Sequence, residues 1–514
     1  MSFQEESPMH LNATLHPCLF LASVVSIGSI GLAQDGQVVM DGSFSDWADA
    51  PVLVEDPQDA PGAFVDLGTV RVIDDQEFIN LQLGVGRQVN AQKLDGTIQV
   101  ILNVDGSTRS GTTLHDLEGA DLAIELTPQE GERAGMGCSV ITFDRKGRPR
   151  RRSPYDIDMV LAPTTASDWF EIRFRRTNLT DSVKTIRPRA KMTGRVIAVD
   201  RNQRIVDQTD QFTHEVTTSG ARRRANPELN RRDPLERSED ADTRVVSWNA
   251  ERGAFIENPA PFARMLRALD PDVIAIQELP GDCTPQVLES WFKKYMGKDD
   301  WTATVCRGNL RTAVVSRKPF TSIQELADLS RPTTRGSIPV RCAGGLVQTG
   351  GTPILIASIH LKCCGSVGSR EDEVRELETD LIRKAVGRLM KKHPDASIVI
   401  AGDFNLVGGE HVLQQMIHEI DTDGSDLQVA DLYQVGGRTN ATWADRGQPF
   451  VPGRLDYIVF GDDRLGLEGG LVVDVANMPS SLSKKHKLDS LRTKAPSDHF
   501  PIVLDLDTSR DDPS

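Results

Sequence analysis

Apolar residues fall along this chain in two different rhythms. Up to about Glu215 they come in short alternating runs between turn residues, at 70–73, 78–85, 97–104, 121–126, 139–143, 169–174 and 195–199. No helical period of convincing length interrupts them, so this part is expected to be an all-β sandwich. Past Thr243 the runs become continuous, as in strands buried on both faces, at 245–251, 273–279, 355–362, 398–406, 454–460 and 497–506. Helix-period stretches separate them. Pro259–Leu269 puts Phe262, Met265, Leu266 and Leu269 on one face, and 285–296 forms a second helix. A third runs from Ser369 to about Lys392, with Ser369 and Asp372 as an approximate capping box and Pro394 beyond its end. Strands alternating with amphipathic helices predict an α/β domain whose sheets are covered by helices.

Each buried strand carries a polar group at one end. IVIAGDFNL (398–406) stops at Gly402 and delivers Asp403 and Asn405, one residue apart and so on the same side of extended backbone. The other runs bring Asn249, Glu278, His360 and Asp456, and Asp498 with His499 just precede the last strand. Buried strands that bring polar side chains to a rim are how α/β proteins present chemistry. In this order the set resembles the endonuclease/exonuclease/phosphatase superfamily, metal-dependent phosphodiesterases that include deoxyribonuclease I and the bacterial sphingomyelinases. The resemblance covers about the last half of the chain and implies a deoxyribonuclease I-like four-layer α/β sandwich at the C-terminus.

Phosphodiester hydrolysis needs an in-line water, a base, positive charge on the phosphoryl oxygens and help for the leaving alkoxide. His499 is the candidate base, with Asp456 on its other ring nitrogen to fix the tautomer. Glu278 is the leading metal ligand, suited to a hard ion such as Mg²⁺, with Mn²⁺ or Ca²⁺ as alternatives. The resemblance implies that Asn249 and Asp498 complete the metal environment. Asp403 then orients the nucleophile or assists the leaving group, Asn405 donates to a phosphoryl oxygen, and His360 bonds the phosphate. Arg311, Trp443 and Arg454 are candidate substrate contacts.

Departures from the family's branches narrow the substrate. Ser358-Ile359-His360-Leu361 stands where the abasic-site endonucleases carry a tyrosine motif, and Asn309-Leu310-Arg311 where they lead one to expect a tyrosine. Phe404-Asn405-Leu406 replaces the Leu-Asn-Tyr-Arg pattern of the inositol-polyphosphate 5-phosphatases. A deoxyribonuclease-like nuclease or a sphingomyelinase-like lipid or small-molecule phosphodiesterase remains. With aromatic residues at only 5% and no apolar hairpin for membrane insertion, nucleic acid comes first. A non-catalytic polysaccharide-binding protein is the rival of another class, and the retained polar set argues against it.

A chain of 514 residues is too long for one ordinary core. The expected division is a signal peptide at 1–33, a β-sandwich at 34–217, a charged linker at 218–243, the phosphodiesterase domain at 244–508 and a tail at 509–514. The apolar 11–33 segment, ending in the small residue Ala33, is expected to direct export to the periplasm or medium with no stable membrane span after cleavage, a retained membrane anchor being the alternative. A net charge of −15 argues against a general nucleic-acid coat protein but not against a nuclease with a locally basic groove. Cys283 and Cys306 would suit a disulfide in an oxidising compartment, and the lack of CxxC spacing argues against zinc. The basic run Arg145 to Arg152 reads as a solvated hairpin tip or a phosphate-contacting loop. Asp41-Gly42-Ser43-Phe44-Ser45-Asp46-Trp47, with Asn103-Val104-Asp105-Gly106 and Gly119-Ala120-Asp121, is similar to family-9-type carbohydrate-binding modules. That similarity implies a carbohydrate ligand and a structural Ca²⁺ for the first domain; a plain structural sandwich is the alternative. All site motifs lie past Thr243, so the second domain is expected to act alone; the protein is also expected to be a monomer.

Overall fold

Period-two alternation builds the first half. In Thr69–Asp74, for instance, every second residue is buried. A computed structural model describes residues 38–131, 134–180, 183–217, 233–297 and 300–510; the expected signal segment and most of the expected linker lie outside them. One antiparallel sheet has five strands in the order Val52–Glu55, Thr69–Asp74, Phe78–Val89, Ser167–Arg175 and Val160–Ala162. A second, seven-stranded sheet is centred on Lys191–Asp200, Gly96–Asn103 and Leu122–Leu126. Between them lies a core that includes Val70, Leu81, Leu83, Ile98, Val100, Ile124, Phe170 and Ile172.

In the second half, continuous apolar runs become strands buried on both faces. One six-stranded sheet runs Thr302–Val305, Arg311–Ser316, Val273–Leu279, Thr243–Asn249, Ile502–Asp507 and Gly466–Val472. The other runs Phe320–Ser322, Cys342–Val347, Ile354–His360, Ser397–Asp403, Asp456–Phe460 and Gln428–Val429. Val245, Ala275 and Val314 from the first meet Ile356, Val399 and Ile458 from the second in a shared core. Helices Pro259–Leu269 and Pro285–Tyr295 pack on the first sheet through Phe262, Leu266, Leu288 and Phe292. Arg370–Lys392 and His411–Ile417 cover the second through Ile382, Val386, Leu389 and Met416. The long helix starts where its cap was expected, with Ser369 Oγ accepting the Asp372 N–H at 3.3 Å.

Register then fixes the chemistry. Ile354–His360 and Ser397–Asp403 are parallel, with His360 opposite Asp403, while Asp403 is opposite Asp456 on the antiparallel neighbour. Three polar side chains therefore share one row. Asn249 and Gln277 form the matching last pair of the other sheet. Gly402 sits at φ 150°, and a Cβ there would come within 2.0 Å of the Ile359 carbonyl oxygen, so only glycine lets these strands pair up to Asp403.

One sequence expectation changes. Cys283 and Cys306 are both free thiols, and Cys306 Sγ instead accepts the Thr312 N–H at 3.2 Å. The basic hairpin is ion-paired to its own neighbours: Arg148 to Asp144, Arg151 to Glu125 and Arg152 to Asp156.

The sandwich also leans on loops of the second half. Asn90 Oδ1 accepts the Val367 N–H at 2.7 Å, Thr164 Oγ1 accepts the Arg454 N–H at 2.9 Å, and the Tyr155 hydroxyl accepts the Asp445 N–H at 3.0 Å. Arg173 donates to the Gly437 carbonyl at 2.8 Å, and Arg438 pairs with Asp75. All but the first of these contacts hold the 433–455 segment that leads into Asp456.

Candidate active site

The carboxyl ends of the two sheets converge. Asn249 is fully buried, and its Oδ1 accepts the Glu251 N–H at 3.1 Å. That bond turns its amide nitrogen toward Asp403 Oδ2 at 3.0 Å and Glu278 Oε1 at 3.3 Å. Glu278 Oε2 accepts the Arg252 N–H at 3.0 Å. Glu278 and Asn405 both have left-handed backbone, at φ 60° and 50°, a strained conformation that re-aims a side chain at a strand end. Asn405 holds its turn through an N–H to Asp403 Oδ1 at 2.9 Å and an amide bond to the Leu361 carbonyl at 3.3 Å.

His499 and Asp456 form the tightest pair, with Nδ1 2.8 Å from Asp456 Oδ2. Thr442 Oγ1 donates to the same carboxylate oxygen at 2.7 Å. The other imidazole nitrogen, Nε2, faces Asp403 Oδ2 at 3.8 Å. Burial works against a charged ring, but Asp456, Asp403 and Asp498 outweigh it and lift the His499 pKa to about 10 when no cation is present. Asp403 moves the other way from a normal carboxylate. Burial, with Asp456 and Glu278 adding to it, raises its pKa to about 7 against the opposing pull of His499.

His360 lies 3.8 Å from Glu278 Oε1 and 3.6 Å from Asp403 Oδ2. Its burial, with Arg341, His499 and Lys362 nearby, drives its pKa well below the ordinary value, so it is a neutral ring. Glu278, His360 and Asp403 each offer a ligand atom within 4.8 Å of the others. A buried carboxylate forced toward protonation beside a second carboxylate is a site short of positive charge, and two carboxylates with a neutral imidazole fit a divalent cation.

Asp498 stands one step aside, accepting the Trp443 indole N–H at 2.9 Å and lying beside Glu251. Trp443 is half-buried at the rim, next to Gly453 and His499. Arg311 and Arg454 are tied to backbone: Arg311 donates to Cys283 and Gly308 carbonyls at 2.8 and 3.0 Å. Arg454 donates to the Ala430 carbonyl at 2.9 Å and lies over the Tyr457 ring. The structure thus brings together Asn249, Glu278, His360, Asp403, Asn405, Asp456 and His499, with Asp498 and Trp443 at the edge.

Sequence reasoning missed Arg341. Its guanidinium lies 3.2 and 3.3 Å from the two His360 ring nitrogens and donates to the Leu361 carbonyl at 2.7 Å. No motif marks it; antiparallel pairing of Cys342 with Ile359 puts it there. Gln277 was also missed. Buried between the sheets, it donates to Ser247 Oγ at 3.2 Å and Ser358 Oγ at 3.1 Å, a polar clasp just behind Glu278.

Residues 246–499 match the model of the Endonuclease/Exonuclease/phosphatase family. Its members are phosphoric ester hydrolases. No curated protein matches the chain significantly. Among solved structures, the human Nocturnin catalytic domain is similar at 15% identity, covering 54% of this chain and 99% of that one with a TM-score of 0.34. TDP2 from D. rerio, solved with a single-strand DNA product, is similar at 19% identity over 51% of this chain and 98% of that one, with a TM-score of 0.33. Beta toxin from Staphylococcus aureus is similar at 18% identity over 51% and 99%, with a TM-score of 0.33.

Proposed function

We propose that this protein is a metal-dependent phosphodiesterase with a deoxyribonuclease I-like four-layer domain, acting first on nucleic acid. The observation that carries the reading is the convergence of the Glu278–His360–Asp403 set with the buried Asp456–His499 pair where the carboxyl ends of the two sheets meet. Glu278 and Asp403, with His360 beside them, would hold a divalent cation such as Mg²⁺, which when bound would supply positive charge to the phosphoryl oxygens. His499 Nε2 takes the proton of the attacking water while Asp456 holds Nδ1–H and stabilises the imidazolium. Asn249 and Asn405 fix the carboxylates that frame the reacting phosphate. Trp443 offers a half-exposed ring at the rim on which a base can stack. Export from the cell is part of the same proposal, resting on the 1–33 sequence.

The test is a hydrolysis screen of the purified chain with Mg²⁺ on DNA, RNA, sphingomyelin and a chromogenic phosphodiester. Turnover of DNA or RNA that EDTA abolishes and Mg²⁺ restores is the expected result. Turnover of sphingomyelin alone would move the substrate to lipid, and activity that survives EDTA would overturn the metal assignment.

A further inference from the structure

Cys363 and Cys364 lie three and four residues past His360, on the loop between its strand and the Arg370–Lys392 helix. Their sulfurs are 3.3 Å apart, with Cys364 exposed and Cys363 half-buried. The other described cysteines, 138, 283, 306 and 342, are buried. Lys362 Nζ lies 3.6 Å from Cys363 Sγ. The Cys364 thiol's hydrogen bond, against the cost of burial and with help from Lys362 and Arg341, holds Cys363 well below the usual thiol range.

The loop is clamped on both flanks. Arg375, fully buried and paired with Asp372 at 2.8 Å, donates to the Lys362 carbonyl at 2.8 Å and the Cys364 carbonyl at 2.7 Å. On the other side the Leu361 carbonyl accepts from both Arg341 and Asn405. Arg341 in turn contacts the His360 ring. A displacement at 363–364 therefore has a direct route of two hydrogen bonds to the candidate site.

We propose that Cys363 and Cys364 are a redox modification site, a vicinal dithiol that closes reversibly to a disulfide in exchange with small disulfides and so loosens the loop's hold on Arg341 and Asn405 at the candidate site. The Cys363 thiolate attacks one sulfur of a disulfide such as oxidised glutathione, releasing one thiolate. Cys364 then loses its proton and attacks the Cys363 sulfur, forming the ring and releasing the second. Two protein thiols are oxidised and one small disulfide becomes two thiols. Adjacent Cα atoms lie about 3.8 Å apart across a trans peptide, short of the roughly 4.4 Å at which ordinary disulfides begin, so closure must shift the intervening backbone. Such a bond is easily reduced again.

The experiment uses the full chain equilibrated in reduced and oxidised glutathione. The expected product has lost two hydrogen atoms, maps to a single peptide holding both residues, and no longer captures phenylarsine oxide, which the reduced chain binds one to one. On the phosphodiesterase reading, kcat should fall by roughly ten-fold or more on oxidation and return with dithiothreitol. Cys364→Ser should keep its turnover in both buffers and lose arsenical capture. A glutathione adduct on one cysteine without ring closure would overturn the proposal, as would a closed disulfide with unchanged turnover in an active enzyme. Mass and arsenical capture need no substrate, so they decide the dithiol even where the phosphodiesterase reading fails.

Discussion

His499 and Asp456 act through one short hydrogen bond, and this sets what their replacement should do. His499→Ala removes the base and should lower kcat by about 10²- to 10⁴-fold with KM little changed. Asp456→Asn should cost a similar factor, and the double variant should be scarcely worse than His499→Ala; full additivity in kcat/KM would show independent roles. The pH profile adds a sign. Asp456 helps raise the His499 pKa, so turnover should climb with pH on its acid limb. In Asp456→Asn that limb should move to lower pH while the plateau drops. Glu278→Gln keeps the shape but removes a ligand charge, so Mg²⁺ should no longer raise Tm or restore activity.

At the scale of elements, the site depends on strands that can pair up to their last residue. Gly402→Ala would drive a methyl group into the Ile359 carbonyl between two parallel strands. Its expected cost is on the order of 3 kcal/mol, read as a lower denaturant midpoint. Much of this level is legible in the chain. The Pro259–Leu269 helix has the boundaries that its apolar period predicts, and the Ser369 cap is where its side chain suggests. The 433–455 segment is different, since its shape comes from partners far away in sequence. Thr164→Val would strip the Arg454 N–H of its acceptor at a cost of about 1 kcal/mol. A several-fold loss of kcat should follow through the segment that carries Thr442 and leads to Asp456. Unchanged turnover in that variant would show that the sandwich does not support the site. By the same reasoning, a chain beginning near Asp240 should melt earlier and turn over more slowly than the whole protein.

For the whole molecule, titration links site and stability. His499 has a raised pKa in the cation-free fold, so its contribution is complete below about 6.5 and disappears as pH rises through about 10. Asp403 prefers its proton in the fold, so ionising it weakens the fold as pH rises from 3.8 to about 7. Both have the same sign. In EDTA, Tm should therefore fall from pH 5 to pH 8, and the Tm increase from Mg²⁺ should be larger at pH 8, where no proton competes at Asp403. Asp403→Asn should flatten both trends. A Mg²⁺ effect equal at the two pH values would rule out Asp403 as a ligand.

What the sequence determined by itself is local and periodic: the change from period-two runs to alternating strands and helices, and the polar residue at each strand end. These are legible because burial dictates residue type position by position. Tertiary structure decided which of those ends meet. Register puts His360, Asp403 and Asp456 in one row, and packing of the two sheets brings Asn249 and Glu278 opposite them. It also brought in Arg341 and the sandwich contacts at Thr164 and Asn90, and it left Cys283 and Cys306 unbridged. None of these has a local signature, because each depends on distances between segments far apart in the chain, and a side chain's own neighbours in sequence carry no record of them.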